Sequence, residues 1–195
     1  HMMLPINLVS LALLATAGTG KTTRQKASEE FEKLRDLLSR EFVYPESIYK
    51  TDAVIESTTQ YLESRNIINI RGKDITIEEN GAMPLKFYSG MIQDYLESLL
   101  IVINGVAEIQ TATIPRKELV SDIRKTGVRM YNLGEIQCSE SLSVINYNNA
   151  VDMMCDAGIL KIQGDGKSSV VNVRDKTRLD ALLASLNNYL DRVRG

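Results

Sequence analysis

The run Ala15-Thr16-Ala17-Gly18-Thr19-Gly20-Lys21-Thr22 comes nearest to a chemical motif in this sequence. It has the order of a phosphate-binding P-loop, with alanine at the first glycine position. In such a loop backbone N–H groups wrap the phosphates, the lysine reaches the β- and γ-oxygens, and the threonine holds Mg²⁺. That chemistry requires a short strand before the loop and a later strand ending in a magnesium-binding Asp, within a βαβ alternation. Leu4 to Ala15 has helical length instead of the roughly five residues of a central strand, and Pro5 and the leucines favour helix. No βαβ alternation follows. The expectation is a flexible interhelical loop that holds no nucleotide.

The other reactive side chains give no constellation. His1 is the only histidine, and His1-Met2 ahead of Met3 reads as a vector-derived scar. A histidine general base, triad or metal site is thereby removed from consideration. Cys138 and Cys155 are the only cysteines and form no CxxC pair, so they read as reduced, inert thiols. A structural metal needs about four ligands, which Cys and His cannot supply here. The pairs Glu29-Glu30 and Glu78-Glu79 read as solvated ends. Asp94 and Glu97 lie one helical turn apart and could face a partner, with a solvated face as the default. Asn146, Asn148 and Asn149 form a polar cluster that would bond across an interface or cap backbone groups. No catalytic, cofactor-binding or metal-binding residue is assigned.

These residues must be carried by a largely helical chain. With 195 residues, 44% of them apolar and 25% charged, it has the composition of a globular protein. A net charge of −2 argues against general polyanion binding. Neither Leu4 to Ala15 nor Leu96 to Val106 reaches the ~20 apolar residues of a spanning helix. A dozen helical residues reach only about 18 Å. Both are expected to be buried core helices, with peripheral bilayer contact left open.

Helices are expected from Pro5 to about Ala15, from a Ser28 cap to Pro45, and from Thr51 or Asp52 onward. Phe31, Leu34, Leu37, Leu38 and Phe42 mark the apolar face of the second. Ile68, Ile70, Ile75 and Ile77 then alternate around Arg71-Gly72-Lys73-Asp74, a short β-hairpin. The order recurs: a long helix from Phe87 to about Ile109, another opened by Pro115 with Gly127 weakening its middle, and a third started at Ser139 or Ser141. Tyr147, Ala150, Met153 and Met154 are its core face. Leu160, Ile162, Val171 and Val173 flank Gly164-Asp165-Gly166-Lys167 as a second hairpin. An amphipathic helix carrying Leu179, Leu182, Leu183, Leu186, Leu190 and Val193 closes the chain.

The two hairpin units superpose. Ile55, Thr58, Tyr61 and Leu62 fall on Tyr147, Ala150, Met153 and Met154, while Ile67, Ile68 and Ile70 fall on Ile159, Leu160 and Ile162, and Gly72 on Gly164. The fold expected is mainly α with two short β-hairpins: tandem winged-helix-like units over 1–82 and 83–195, each helix-helix-helix-hairpin, plus a C-terminal helix. Winged-helix order would put each third helix in a DNA groove, where phosphates demand Lys or Arg. Asp52, Glu56 and Glu63 face Arg65 alone in one such helix. Glu140, Asp152 and Asp156 meet no basic residue in the other. No nucleic acid is expected.

Two stretches carry a resemblance. Glu140-Ser141, Asn149-Ala150-Val151, Met153 and Gly158-Ile159-Leu160-Lys161 stand at the spacing of the C-terminal end of the glycerol-3-phosphate and dihydroxyacetone-phosphate acyltransferases. Leu85-Lys86-Phe87-Tyr88-Ser89 resembles that family's Leu-Asn-Phe-Tyr-Ser segment, and Tyr95-Leu96-Glu97-Ser98-Leu99 a helix near its Leu-Glu-Ala-Tyr run. The similarity covers most of the chain and is densest in Glu140 to Lys161. The family's His-x4-Asp motif, whose histidine activates the acceptor hydroxyl against an acyl thioester, is absent from this sequence. The resemblance therefore implies a non-catalytic C-terminal part of a longer, intracellular, membrane-associated acyltransferase. Its partner would be the acyltransferase domain of the same parent chain, and it would need no cofactor. The alternative reading is a stand-alone tandem winged-helix module that binds proteins.

Overall fold

The apolar run near the N-terminus forms helix α1, Met3–Thr16, in which every residue from Ile6 to Leu14 is buried. A helix apolar on all sides has no solvent face and must be a core helix. The structure is a computed structural model that describes residues 3–109, 113–164 and 169–194. His1, Met2 and the Asp165-Gly166-Lys167 part of the second polar turn lie outside them. The chain divides into two units, His1–Gln93 with Asn188–Gly195, and Asp94–Asn187.

In the first unit α1 is followed by β1 (Lys21–Thr23), α2 (Arg24–Leu37), α3 (Thr51–Ser64), β2 (Ile68–Arg71), β3 (Asp74–Ile77) and α4 (Ala82–Gly90). The strands form an antiparallel sheet in the order β1-β3-β2, with Ile75 opposite both Thr22 and Ile70. Phe31, Leu34, Leu38, Ile55, Leu62 and Ile75 are fully buried. Asn7, the polar break in the apolar run, is buried too, and with its amide nitrogen facing α4 it donates to the Tyr88 carbonyl at 3.0 Å.

The second unit repeats the order. α5 (Gln93–Ile109) leads to β4 (Ile114–Pro115), α6 (Arg116–Asn132), α7 (Val144–Asp156), β5 (Leu160–Gln163), β6 (Val170–Val173) and α8 (Lys176–Arg194). Its sheet order is β4-β6-β5, again antiparallel. Both units thus run helix, strand, helix, helix, strand, strand, the order of a winged helix. The end of α8 counts with the first unit, where buried Tyr189 donates to Glu30.

The ends of the third helices match in detail. α3 stops at Asn66, φ 56°, where Asn66 N–H bonds the Glu63 carbonyl at 2.9 Å and Ile67 N–H the Leu62 carbonyl at 3.0 Å. α7 stops at Gly158, φ 69°, with Gly158 N–H on Cys155 and Ile159 N–H on Met154, both at 2.9 Å. Each is a Schellman motif, which uses a left-handed residue to satisfy the last carbonyls.

Several expectations change. β1 and β4 were read as loop and helix start, yet Lys21–Thr23 and Ile114–Pro115 complete the two sheets. Thr23, not Ser28, caps α2 by accepting from Lys26 N–H at 3.3 Å. α2 ends at Leu37, before Pro45, and Tyr44 folds back to donate to the last-turn carbonyl of Arg35 at 3.0 Å. The long helix expected from Phe87 divides into α4 and α5, with a turn at Gly90–Ile92. Ser143 caps α7, while Ser139 and Ser141 sit in a preceding 3₁₀ turn. Tyr61 is 41% exposed where its counterpart Met153 is buried.

Candidate functional site

The P-loop-like segment joins a helix to a short strand in this fold. It follows a helix, and its Lys21 and Thr22 belong to strand β1. Lys21 pairs with Asp74 at 2.9 Å across the sheet. Thr22 is buried and donates to Thr16 Oγ1 at 2.9 Å. Both groups a P-loop would aim at a nucleotide are thus bound within the sheet and against α1.

The most developed polar constellation lies in the second unit, on the residues that carry the family-like pattern. Glu97 sits within the apolar run of α5 and is fully buried. Its carboxylate accepts Gln137 N–H with both oxygens at 3.1 Å, Cys138 N–H at 2.8 Å and Ser141 Oγ–H at 3.1 Å. The neighbouring Ser98 donates to the Ser141 carbonyl at 3.0 Å and receives Asn146 Nδ2 at 3.2 Å. Charge-assisted bonds to backbone N–H groups are the strong kind, and here they hold the irregular segment before α7 against α5. Glu140 stays exposed beside buried Ser141.

This arrangement positions backbone. Glu97 was read by default as part of a solvated face, and its burial corrects that. The signal was its place between apolar residues, Leu96 before it and Leu99 to Ile103 after. Burial pushes the Asp94 carboxyl above the usual carboxylate range. Burial, with the Glu97 charge beside it, also pushes the Cys138 thiol up to about 11. A thiol so raised is protonated at neutral pH and is a poor nucleophile. Burial raises the Cys155 thiol as well. No group of three or more His, Cys, Asp or Glu stands ready for a metal among the described residues.

The asparagine cluster acts within the unit. Asn146 N–H bonds the capping Ser143 hydroxyl at 3.4 Å. Asn148 donates to the Val144 carbonyl at 2.8 Å and accepts from Arg116 at 3.3 Å. Arg116, first residue of α6, also pairs with Asp152 at 2.7 Å and so clasps α6 to α7. Tyr147, Met153 and Met154 are core.

A groove of about 880 Å³ opens in the first unit between the starts of α2 and α3. Arg24, Lys50 and Lys73 line it, but so do Glu29, Glu32 and Asp52. Three charges of each sign give no preference for an anion. Helices α3 and α7, the ones a winged helix would send to DNA, contain no Lys or Arg. No helix among the described residues is long and apolar enough to cross a membrane.

Residues 1–163 match the family model described as the glycerol-3-phosphate acyltransferase C-terminal region. The chain is also 24% identical over 180 residues to the dihydroxyacetone phosphate acyltransferases of Homo sapiens, Oryctolagus cuniculus and Bos taurus. In each case the match covers 91% of this chain and 26% of the relative. The chain thus spans about a quarter of the length of the curated relatives it matches.

Proposed function

The chain belongs to the glycerol-3-phosphate acyltransferase C-terminal family, and on that premise we propose that it is the non-catalytic C-terminal part of a longer acyltransferase. The parent moves an acyl group from a thioester to the hydroxyl of glycerol 3-phosphate or dihydroxyacetone phosphate. An ester bond forms, the thioester C–S bond breaks, and the thiol leaves with the hydroxyl proton. The base for that transfer comes from a His-x4-Asp domain elsewhere in the parent. This part holds the acyltransferase domain in place at a membrane surface, in the service of phospholipid synthesis.

The observation that carries the reading is the family match over residues 1–163. Two features of the chain agree with it. The sequence has one histidine, His1, and its best-ordered polar cluster, around Glu97, is consumed in fixing backbone. The test is the native gene and the protein it encodes. An upstream His-x4-Asp segment in the same reading frame is expected. Removing the present residues from that parent should lower its acyl transfer at least tenfold or release it from membranes. A native start at Met3 would sink the proposal and leave the tandem winged-helix interaction module, which the repeated topology favours as the second reading.

A further inference from the structure

Helix α4 turns its apolar side chains the wrong way for a core helix. Leu85 and Ser89 are buried beneath it, while Met83 is 79% exposed, Phe87 66% and Met91, its C-cap residue, 48%. Spaced by four, the three form a single ridge on the outer side. Tyr88 flanks the ridge, packed edge-on against Phe87 at 5.8 Å, with the part-exposed Tyr61 beside it. Arg65 lies over the Tyr61 ring, 5.4 Å from its centroid. Exposed apolar residues scattered singly need no explanation, but a contiguous ridge marks a contact surface.

The geometry points to this ridge as the place where the chain meets an anionic bilayer surface. Size argues first. Three side chains at these exposures offer on the order of 400 Å², half of the roughly 800 Å² per partner that a stable protein pair buries. That is too little to hold a second copy. A bilayer interface needs no complementary shape and accepts methionine, phenylalanine and tyrosine at headgroup depth. Charge argues second. α4 contains Lys86 and no acidic residue, and Arg65 stands beside the aromatic pair. The flanking carboxylates in sequence are Glu78 and Glu79 before the helix and Asp94 three residues after Met91. Lys86 also borders a groove that Glu78, Asp191 and Arg192 line. Lys86 and Arg65 are the cations beside the ridge, and α4 itself sets no carboxylate against lipid phosphate.

The inference deepens the membrane side of the proposed function and is tested apart from it, on this chain alone. The chain is sedimented with vesicles of phosphatidylcholine and phosphatidylglycerol (3:1), and with phosphatidylcholine alone. Wild type should pellet with the anionic vesicles, less with neutral ones, and less as salt is raised. The triple variant Met83→Ser, Phe87→Ser, Met91→Ser should lose tenfold or more of that binding. Its far-ultraviolet circular dichroism and melting midpoint should match wild type, since the three side chains are exposed; Phe87→Ser alone serves if the triple variant does not fold. Arg65→Gln should remove much of the anionic preference. No binding to either vesicle, or equal binding by folded wild type and variant, overturns the inference. Vesicle-free pelleting that the triple variant abolishes would make the ridge a self-contact and overturn it equally. Neither result bears on whether the parent's activity needs this part.

Discussion

At the scale of single residues, the cost of burying Glu97 is met by donors, not by solvent. A carboxylate taken out of water is tolerated only when hydrogen bonds replace its hydration. Gln137 and Cys138 N–H and the Ser141 hydroxyl supply them. Glu97→Ala strands those donors in a dry site, so it should lower unfolding free energy by about 2–4 kcal/mol. Glu140→Ala, on the exposed member of the Glu-Ser pair, should cost less than ~0.5 kcal/mol. Urea denaturation of both variants measures the contrast, and equal midpoints would refute it. Cys138 offers a second check at this scale. With its thiol near 11, the thiolate fraction at pH 8 is about a hundredfold below that of a free cysteine. Iodoacetamide should thus modify native Cys138 about a hundred times more slowly than the urea-unfolded chain. The Glu-Ser pattern was visible in the sequence, but its partner on α5 was not, because forty-odd residues separate Glu97 from Ser141 and no local period links them.

At the scale of elements, two glycines set the contact between α5 and α6. A Cβ on Gly105 would come within 2.7 Å of Ile123 Cγ1, and one on Gly127 within 3.1 Å of Ile101 Cγ2. Residues 101 and 105 thus face 127 and 123, so the helices run antiparallel and each glycine receives the other helix's isoleucine. Gly127 had been read as a weakness of α6; it is instead the hollow that lets the helices approach. Gly→Ala in an exposed helix gains about 1 kcal/mol, but overpacking a close contact costs roughly 1–3 kcal/mol. Gly105→Ala and Gly127→Ala should therefore both destabilise. Gly127 has a further neighbour, the Tyr147 hydroxyl, 2.7 Å from its would-be Cβ. That hydroxyl is buried and has no hydrogen-bond partner among the described residues. Tyr147→Phe should then be neutral or stabilising by up to ~1 kcal/mol. It should also rescue part of the Gly127→Ala loss, a coupling that a double-mutant cycle reads directly. Periodicity revealed the long elements, α1, α5 and both hairpins, because their apolar spacing is sustained. It missed β1 and β4 because strands of three and two residues carry no period. It joined α4 to α5 because the turn at Gly90 changes direction without interrupting the apolar content.

At the scale of the whole molecule, one topology is used twice. The repetition was legible because hydrophobic positions at a fixed offset recur with their turn glycines, Gly72 and Gly164, both at positive φ. What could not be read was the division of labour between them. The second unit binds its polar residues inward through Glu97 and Arg116, whereas the first leaves a mixed-charge groove and the α4 ridge outward. Acyl transfer to an alcohol needs a group that takes the hydroxyl proton as the thioester carbonyl is attacked, and positioned acid–base catalysis contributes about 10²–10⁴-fold. The groups buried around α5 are committed elsewhere. Glu97 spends its carboxylate on the Gln137 and Cys138 N–H groups and the Ser141 hydroxyl, and burial raises the thiols of Cys138 and Cys155. The purified chain, incubated with a radiolabelled acyl-CoA and either glycerol 3-phosphate or dihydroxyacetone phosphate, should therefore release thiol and form ester at the buffer rate. The parent protein under the same conditions should turn over. Ester formation by the chain above the buffer rate, surviving repurification, would overturn the non-catalytic reading and move the catalytic site into these residues.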